Sequence, residues 1–313
     1  MADRRLLGLG LVALFSMAAF MGLGLRGNIG FVLELRATKL LALVQVGIAI
    51  GISTVIFQTI TVNRILTPSI MGLDQLYVFG KFVLVFLFGG VGFAALDRQI
   101  VFAGEASMMI GLACLVILPM LKARIDLNLL LLAGVIFSVL FRSLSSLLAR
   151  LTDPNDFAVV QGTSFANFND VRTDLALFAT VLNIAAVIIA WRSRHVLDVL
   201  ALGADTATGL GVNWVRTVSA LFLLVAVQVA VSTALVGPVA LFGLLVVALS
   251  ERIVDTRRHG ILLPASALMA VIILVGGQTI LQHGLGGAST LGVVIEFLGG
   301  LVFLLLLITG SRK

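Results

Sequence analysis

Charge is what this sequence has least of. Asp, Glu, Lys and Arg make up 12% of its 313 residues, where a soluble domain carries about 25% because its surface must face water. With 60% hydrophobic residues and a mean hydropathy of +1.18, too little polar side chain exists to cover such a surface. Lipid must therefore solvate most of the chain, as one membrane domain with no room for a separate soluble module. Cysteine is nearly absent: Cys114 stands alone, which excludes an intrachain disulfide and a cysteine metal cluster.

Several catalytic signatures are missing too. His195, His259 and His283 never pair at i,i+4, there is no HExxH, and no GxSxG elbow exposes a serine nucleophile. A membrane protease or lipid hydrolase would need such a constellation, so the chain is not read as an enzyme. No GxxxxGK[ST] phosphate loop occurs either. Gly80-Lys81 lacks the upstream glycine and is followed by Phe82, so no nucleotide site is recognisable. The net charge of +6 does not mark a nucleic-acid binder, because the basic residues sit singly or in pairs between apolar runs. That distribution is the one expected of charges that set membrane topology.

What is present is a series of apolar runs. About 20 residues at a 1.5 Å rise cross the hydrocarbon core. By that measure the spans fall at about 5–25, 38–61, 74–95, 100–119, 127–149, 174–191, 213–235, 238–253, 261–281 and 291–309. Leu, Ala, Gly and Val without period-two alternation predict helices and not a β-barrel. The N-terminal run after Arg4-Arg5 is too long for a secretory signal core and lacks a small-x-small site, so it is read as the first span. The span at 238–253 is short and begins at Gly237-Pro238, a sharp reversal.

With ten spans both termini share one side. That side would hold Arg4, Arg5, Arg64, Lys122, Arg124, Arg192, Arg194, Arg216, Arg252, Arg257, Arg258, Arg312 and Lys313, thirteen of the 21 basic residues. The positive-inside rule puts it in the cytoplasm. Residues 150–173 then form an outer loop. Residues 192–212 form an inner one, with a small helical stretch from Leu197 to Leu210 ended by Gly211. That stretch reads either as a surface helix facing a partner or as an ordinary loop helix. Gly47 and Gly51 have GxxxG spacing, which favours close helix packing.

Charges within spans are functional candidates by default. Asp74 and Lys81 are expected near the cytoplasmic end of the third span, Glu105 just inside the outer end of the fourth, Arg142 within the fifth and Glu296 within the tenth. Most lie close enough to a face for their side chains to snorkel. Arg142 lies deeper, about 10 Å from the outer end by helical rise, and is expected either to pair with Glu296 or to line a pathway.

One stretch carries a family likeness. Residues 36–72 read RATKLLALVQVGIAIGISTVIFQTITVNRILTPSIMG, with Arg36, Lys39, Gln58, Asn63, Pro68 and Gly72 at defined spacings. This resembles the second span and following loop of FecCD-type permeases, which serve iron-siderophore, haem and cobalamin ABC importers. The likeness continues in order along the chain. It runs through Leu132-Ala133-Gly134-Val135, Asp153-Pro154, Leu202-Gly203-Ala204-Asp205-Thr206-Ala207 with Leu210-Gly211, Gly237-Pro238 before Phe242-Gly243-Leu244, and Leu263-Pro264-Ala265. Two features depart from the common pattern. Val247-Ala248 stands where most members carry Pro-His, and the loop from Asn63 to Gly72 with Asp74 and Tyr77 is similar to the second permease of catecholate-type siderophore importers.

The resemblance implies an all-α, type II ABC importer fold (like the cobalamin permeases) over residues 1–313 as a single permease domain. It implies a transmembrane permease subunit in a bacterial inner membrane, moving a ferric siderophore inward by alternating access. The alternatives are a haem or other metal-chelate importer and, from a different class, an ion-coupled secondary transporter. Implied partners are a cytoplasmic ATP-binding subunit, a second paralogous permease, a periplasmic or lipoprotein siderophore-binding protein, and membrane lipid, with no nucleic acid. ATP would be used by the partner ATPase, and iron would travel inside its chelate without a metal ligand or bound cofactor from this chain. The coupling segment, about 197–212, would use Leu202, Gly203, Ala204, Asp205, Leu210 and Gly211. Arg36 and Lys39 would meet acidic residues of the binding protein or, on the plainer reading, anchor a helix at the headgroups. Gln58, Asn63, Pro68, Arg142, Gly162, Ser164 and Glu296 are the pathway or gate candidates.

Overall fold

The structure is a computed structural model that describes residues 2–25, 28–122, 127–163, 165–284 and 290–310. Ser164, Arg124, Arg312 and Lys313 lie outside the described residues. Among those described, every regular element is a helix: α1 (Ala2–Gly22), α2 (Ile29–Ile60), α3 (Leu73–Ala95), α4 (Arg98–Lys122), α5 (Leu127–Leu151), α6 (Pro154–Thr163), α7 (Thr173–Arg192), α8 (Arg194–Leu200), α9 (Ala204–Gly209), α10 (Trp214–Val236), α11 (Phe242–Val254), α12 (His259–Gly284) and α13 (Leu291–Gly310). Eight of these are long and apolar enough to cross a membrane. With the 13-residue α11 and the 20-residue α13 they account for all ten expected spans.

The hydropathy of the spans is similar, but their burial is not. The most apolar stretch of α2 is 78% buried and that of α10 is 67% buried, against 17% for α1 and for α5. Helices α2, α10 and α12 therefore form the centre, and α1 and α5 present broad faces outward. Small residues allow this. A Cβ added at Gly51 would fall 2.9 Å from the Ser266 carbonyl oxygen, and one at Gly47 would lie 3.3 Å from the Ala270 carbonyl carbon. The GxxxG face of α2 is thus the seat of α12, as close backbone approach requires. On the other side of α2, Gln45 Nε2 donates to the Ala176 carbonyl of α7 at 3.2 Å, satisfying a buried amide away from water.

Several boundaries differ from expectation. Helix α2 begins at Ile29, nine residues before the expected span, and its 32 residues extend about 48 Å by helical rise, past the hydrocarbon core. The apolar window hid this extension because Glu34, Arg36 and Lys39 interrupt it. The outer loop contains α6, an unforeseen helix. Its start was readable in Asp153-Pro154: Asp153 Oδ1 accepts from the Asn155 N–H at 2.9 Å, and proline occupies the first helical position. The single inner stretch from Leu197 to Leu210 is two helices, because Gly203 at φ +97° breaks it between α8 and α9. Helix α3 is itself bent at Gly89, where φ is +68°.

The connection after α2 is not a simple loop. Pro68–Met71 forms a 3-10 turn whose Pro68 and Met71 are buried. Ser138 Oγ on α5 donates to the Ile70 carbonyl at 3.1 Å, and a Cβ at Gly134 would meet the Met71 Cα at 2.9 Å. The turn therefore re-enters the bundle beside α5, where irregular backbone is tolerated because protein covers it.

Candidate functional site

Contacts at one end of the bundle join segments far apart in sequence. Arg5 Nη1 donates to the Ile253 carbonyl at 2.9 Å, and Arg64 lies 3.7 Å from Glu251. His259 meets Asp198. These tie the starts of α1 and α12 to the ends of α2 and α11, and to α8. Of the thirteen tallied basic residues, Arg4, Arg5, Arg64, Arg194, Arg252, Arg257 and Arg258 are among those that belong to or adjoin this end.

The hairpin of α8 and α9 projects here. Leu197, Leu200 and Ala207 are buried against the bundle, while Leu202 and Leu210 are 60% and 62% exposed. Ala204 and Asp205 are exposed on the first turn of α9, and Gly211 closes it at φ +87°. Leu202 and Leu210 thus stand exposed at either end of α9, next to Gly203 and Gly211.

At the opposite end, Arg36 and Lys39 behave differently from each other. Arg36 is buried, and its guanidinium donates to the carbonyls of Phe20 (2.9 Å), Met21 (3.1 Å), Leu23 (2.6 Å) and Gly24 (3.4 Å). It caps the C-terminal end of α1, where free carbonyls and the helix dipole favour a cation. Arg36 is thus not a free surface charge. Lys39 is half-buried and donates to Asn169 Oδ1 of the outer segment at 2.8 Å, an acceptor shared with Gln278 of α12 at 3.3 Å.

The exposed face of α5 carries the most unusual chemistry. Arg142, Ser146 and Arg150 recur every four residues, with Ser143 beside them, and all are exposed. Arg142 lies nine residues before the end of α5 at Leu151, about 14 Å by rise. An arginine facing hydrocarbon at helix centre costs about 3 kcal/mol. Exposed Val139, Leu140, Leu147 and Leu151 lie beside these polar side chains, so this part of α5 presents a mixed polar and apolar surface. The alternative that Arg142 pairs with Glu296 is corrected: among the described residues no ion pair joins them. Glu296 is half-buried on α13 and lies toward Asp74, whose carboxylate is buried near Ser69.

The remaining candidates are dispersed. Gln58 is buried near the C-terminal end of α2, in a cleft of 120 Å³ that also receives Thr59, Arg64, Glu251 and His259. Asn63 Oδ1 accepts from the Ile65 N–H at 3.1 Å and shapes the turn after α2. Pro68 starts the buried 3-10 turn. Gly162 lines a cleft of 340 Å³ at the opposite end. That cleft holds a pair the sequence reading did not join. Lys81 Nζ sits 2.6 Å from Glu105 Oε1, and both side chains are nearly buried. Lys81 therefore turns to Glu105 instead of snorkelling to a membrane face. The packing of α3 against α4 decides this, and it is not visible in hydropathy.

Among the described residues, an all-helical bundle with eight helices long and apolar enough to cross a membrane defines a polytopic membrane protein. Residues 7–309 match the FecCD transport family, and the chain belongs to that family. It is 40% identical over 288 residues to the petrobactin import system permease protein YclO of Bacillus subtilis (strain 168), covering 92% of this chain and 91% of that protein. It is 31% identical to the petrobactin import system permease protein FatC of Bacillus anthracis, over 87% of this chain and 77% of that one. Identity to the ferric enterobactin transport system permease protein FepG of Escherichia coli (strain K12) is 30%, over 95% and 88%. Among solved structures, an inward-facing metal-chelate type ABC transporter superposes with a TM-score of 0.85 at 22% identity, over 98% of this chain and 99% of that one. The fold is that of a type II ABC importer permease.

Proposed function

We propose that this chain is the permease subunit of an ABC importer that moves a ferric siderophore, of catecholate type, into the cytoplasm by alternating access. The cargo reading is supported by relatives named for petrobactin and enterobactin import. The mechanistic reading rests on one observation, the exposed stripe of Arg142, Ser143, Ser146 and Arg150 on α5. That stripe forms half of a water-filled route whose other half is a second, paralogous permease. Two guanidinium groups on the wall suit an anionic ferric chelate. The iron stays inside its chelate, so the wall supplies charge and hydrogen bonds, not metal ligands. Gln58, Asn63, Pro68, Gly162, Ser164 and Glu296 act as gate positions around the two ends of that route.

The end bearing the α8–α9 hairpin faces the cytoplasm with both termini, following the basic-residue asymmetry. There Leu202 and Leu210, held by Gly203, Ala204, Asp205 and Gly211, dock an ATP-binding subunit that hydrolyses the nucleotide. Lys39 and its neighbours at the outer end meet acidic residues of a siderophore-binding protein, with charge steering the encounter.

The test is uptake into vesicles holding this chain, its partner permease and the ATPase, with loaded binding protein outside. ATP-dependent uptake of ferric catecholate supports the proposal. Uptake by this chain alone under a proton gradient would sink it in favour of a secondary transporter.

A further inference from the structure

His259 stands at the start of α12, and only 3% of it is exposed. Three elements meet on it. Its Nδ1 lies 2.7 Å from Asp198 Oδ1 of α8, and its backbone N–H donates to the same oxygen at 2.8 Å. Its Nε2 lies 2.7 Å from Thr59 Oγ1 at the inner end of α2. Thr59 Oγ1 is also 2.8 Å from the Val55 carbonyl, which can only accept. With the Thr59 proton on Val55, Nε2 donates to Oγ1 while Nδ1 donates to the Asp198 carboxylate. With that proton turned to Nε2, Nε2 accepts and Nδ1 still donates. The tie between helices holds in either arrangement.

The place of this node gives it meaning. Helix α8 is the first half of the inner hairpin, while α2 and α12 are packed together through Gly47 and Gly51 in the centre of the bundle. Besides apolar packing of Leu197 and Leu200, the hairpin thus has a directional polar link into two central spans. Apolar contacts slide, whereas a partly buried network of short hydrogen bonds centred on a buried ring moves as a unit or breaks. Other charges surround it: Arg194 of α8 near Gly260, Glu251 of α11 with Arg64, and Arg257 and Arg258 just before His259.

We propose that His259 is a positioning residue that transmits movement of the α8–α9 hairpin to α2 and α12, through Asp198 on one side and Thr59 on the other. The inference rests on the reading of that hairpin as the ATPase dock. His259 touches no cargo; it links two parts that must move together.

The experiment uses the complete importer in vesicles and measures chelate delivered per ATP hydrolysed, with folded yield and ATPase co-purification alongside. His259→Gln and Asp198→Ala are expected to lower the ratio about tenfold, within the range of coupling energies between two sites. Basal ATP hydrolysis should persist. Thr59→Val is near-isosteric and removes only the α2 link, so it keeps the test open should a His259 variant fold poorly. Thr59→Ser and Asp198→Asn retain an acceptor and should keep most of the ratio. A ratio unchanged in both His259→Gln and Thr59→Val, whatever happens to yield, overturns the proposal. A Leu202→Asp/Leu210→Asp variant separates the underlying reading. Retained ATPase there removes the dock and the proposal with it, whereas lost ATPase beside an unchanged His259→Gln ratio defeats the proposal alone.

Discussion

Lys81 Nζ and Glu105 Oε1 lie 2.6 Å apart across the contact of α3 and α4, with the ammonium 5.1 Å from the ring centres of both Tyr77 and Phe93. The pair lines the 340 Å³ cleft, yet only 11% of the lysine side chain and 3% of the glutamate side chain are exposed. Removing one partner strands the other in low dielectric, which costs about 3–5 kcal/mol for a buried pair. Lys81→Met and Glu105→Leu should each lower thermal stability in detergent sharply, and the double replacement should recover most of the loss. A double-mutant cycle showing simple additivity would refute the coupling.

Arg36 and Lys39 should separate into two phenotypes. Arg36→Leu leaves the α1 carbonyls without their charged donor, a loss of about 2 kcal/mol, and should reduce folded yield without altering affinity for the binding protein in the molecules that fold. Arg36→Lys should rescue only partly, because an ammonium lacks the planar fork that reaches several carbonyls. Lys39→Glu should instead slow binding-protein association at low salt, an effect that fades as salt screens it. Surface plasmon measurements on purified protein distinguish the two.

Gly51 sets the closest approach of α2 to α12. A Cβ there would stand 2.9 Å from the Ser266 carbonyl oxygen, which belongs to backbone and cannot swing aside. Gly51→Ala should cost about 1–3 kcal/mol by overpacking, read as a lower melting temperature. Because α12 carries His259, transport per ATP should fall as well.

Gly203 tests the backbone alone. Its φ of +97° and ψ of 165° belong to a region reserved for glycine, yet nothing lies within 4 Å of a Cβ built there. Gly203→Ala should therefore cost about 1–3 kcal/mol of local strain with no clash. The expected result is an intact bundle with a misplaced hairpin, seen as normal yield and weakened ATPase co-purification.

Arg142 tests the wall. Arg142→Glu should reduce uptake of an anionic chelate about tenfold or more, equivalent to about 1.4 kcal/mol in the barrier, with folded yield retained. Arg142→Lys should keep most of the rate. Arg142→Leu with unchanged uptake would remove it from the route.

The cases differ in what was legible beforehand. Spans α1, α7, α10 and α12 were readable because a helix in lipid needs a continuous apolar run, and their observed bounds agree with hydropathy within a few residues. The roles of Gly47 and Gly51 were readable as spacing, though not which helix they would receive. Helix α6 left a signal in Asp153-Pro154 that the polar composition around it concealed. Arg36 and Lys39 look equivalent in sequence, three residues apart on one helix. They differ because the end of α1 returns over one of them and residues 165–169 over the other.

The sequence by itself determined the solvent of this protein, the number and order of its spans, and its family, because each depends on local composition or on ordered short motifs. Tertiary structure alone decided which span charges are neutralised and which are left facing outward. Lys81 meets Glu105 where α3 packs on α4, and His259 joins α8 to α2 over separations of 61 and 200 residues. Arg142 remains exposed on α5. Coulombic and hydrogen-bond energies depend on distances of a few ångströms, and residues far apart in the chain acquire such distances only when the bundle closes.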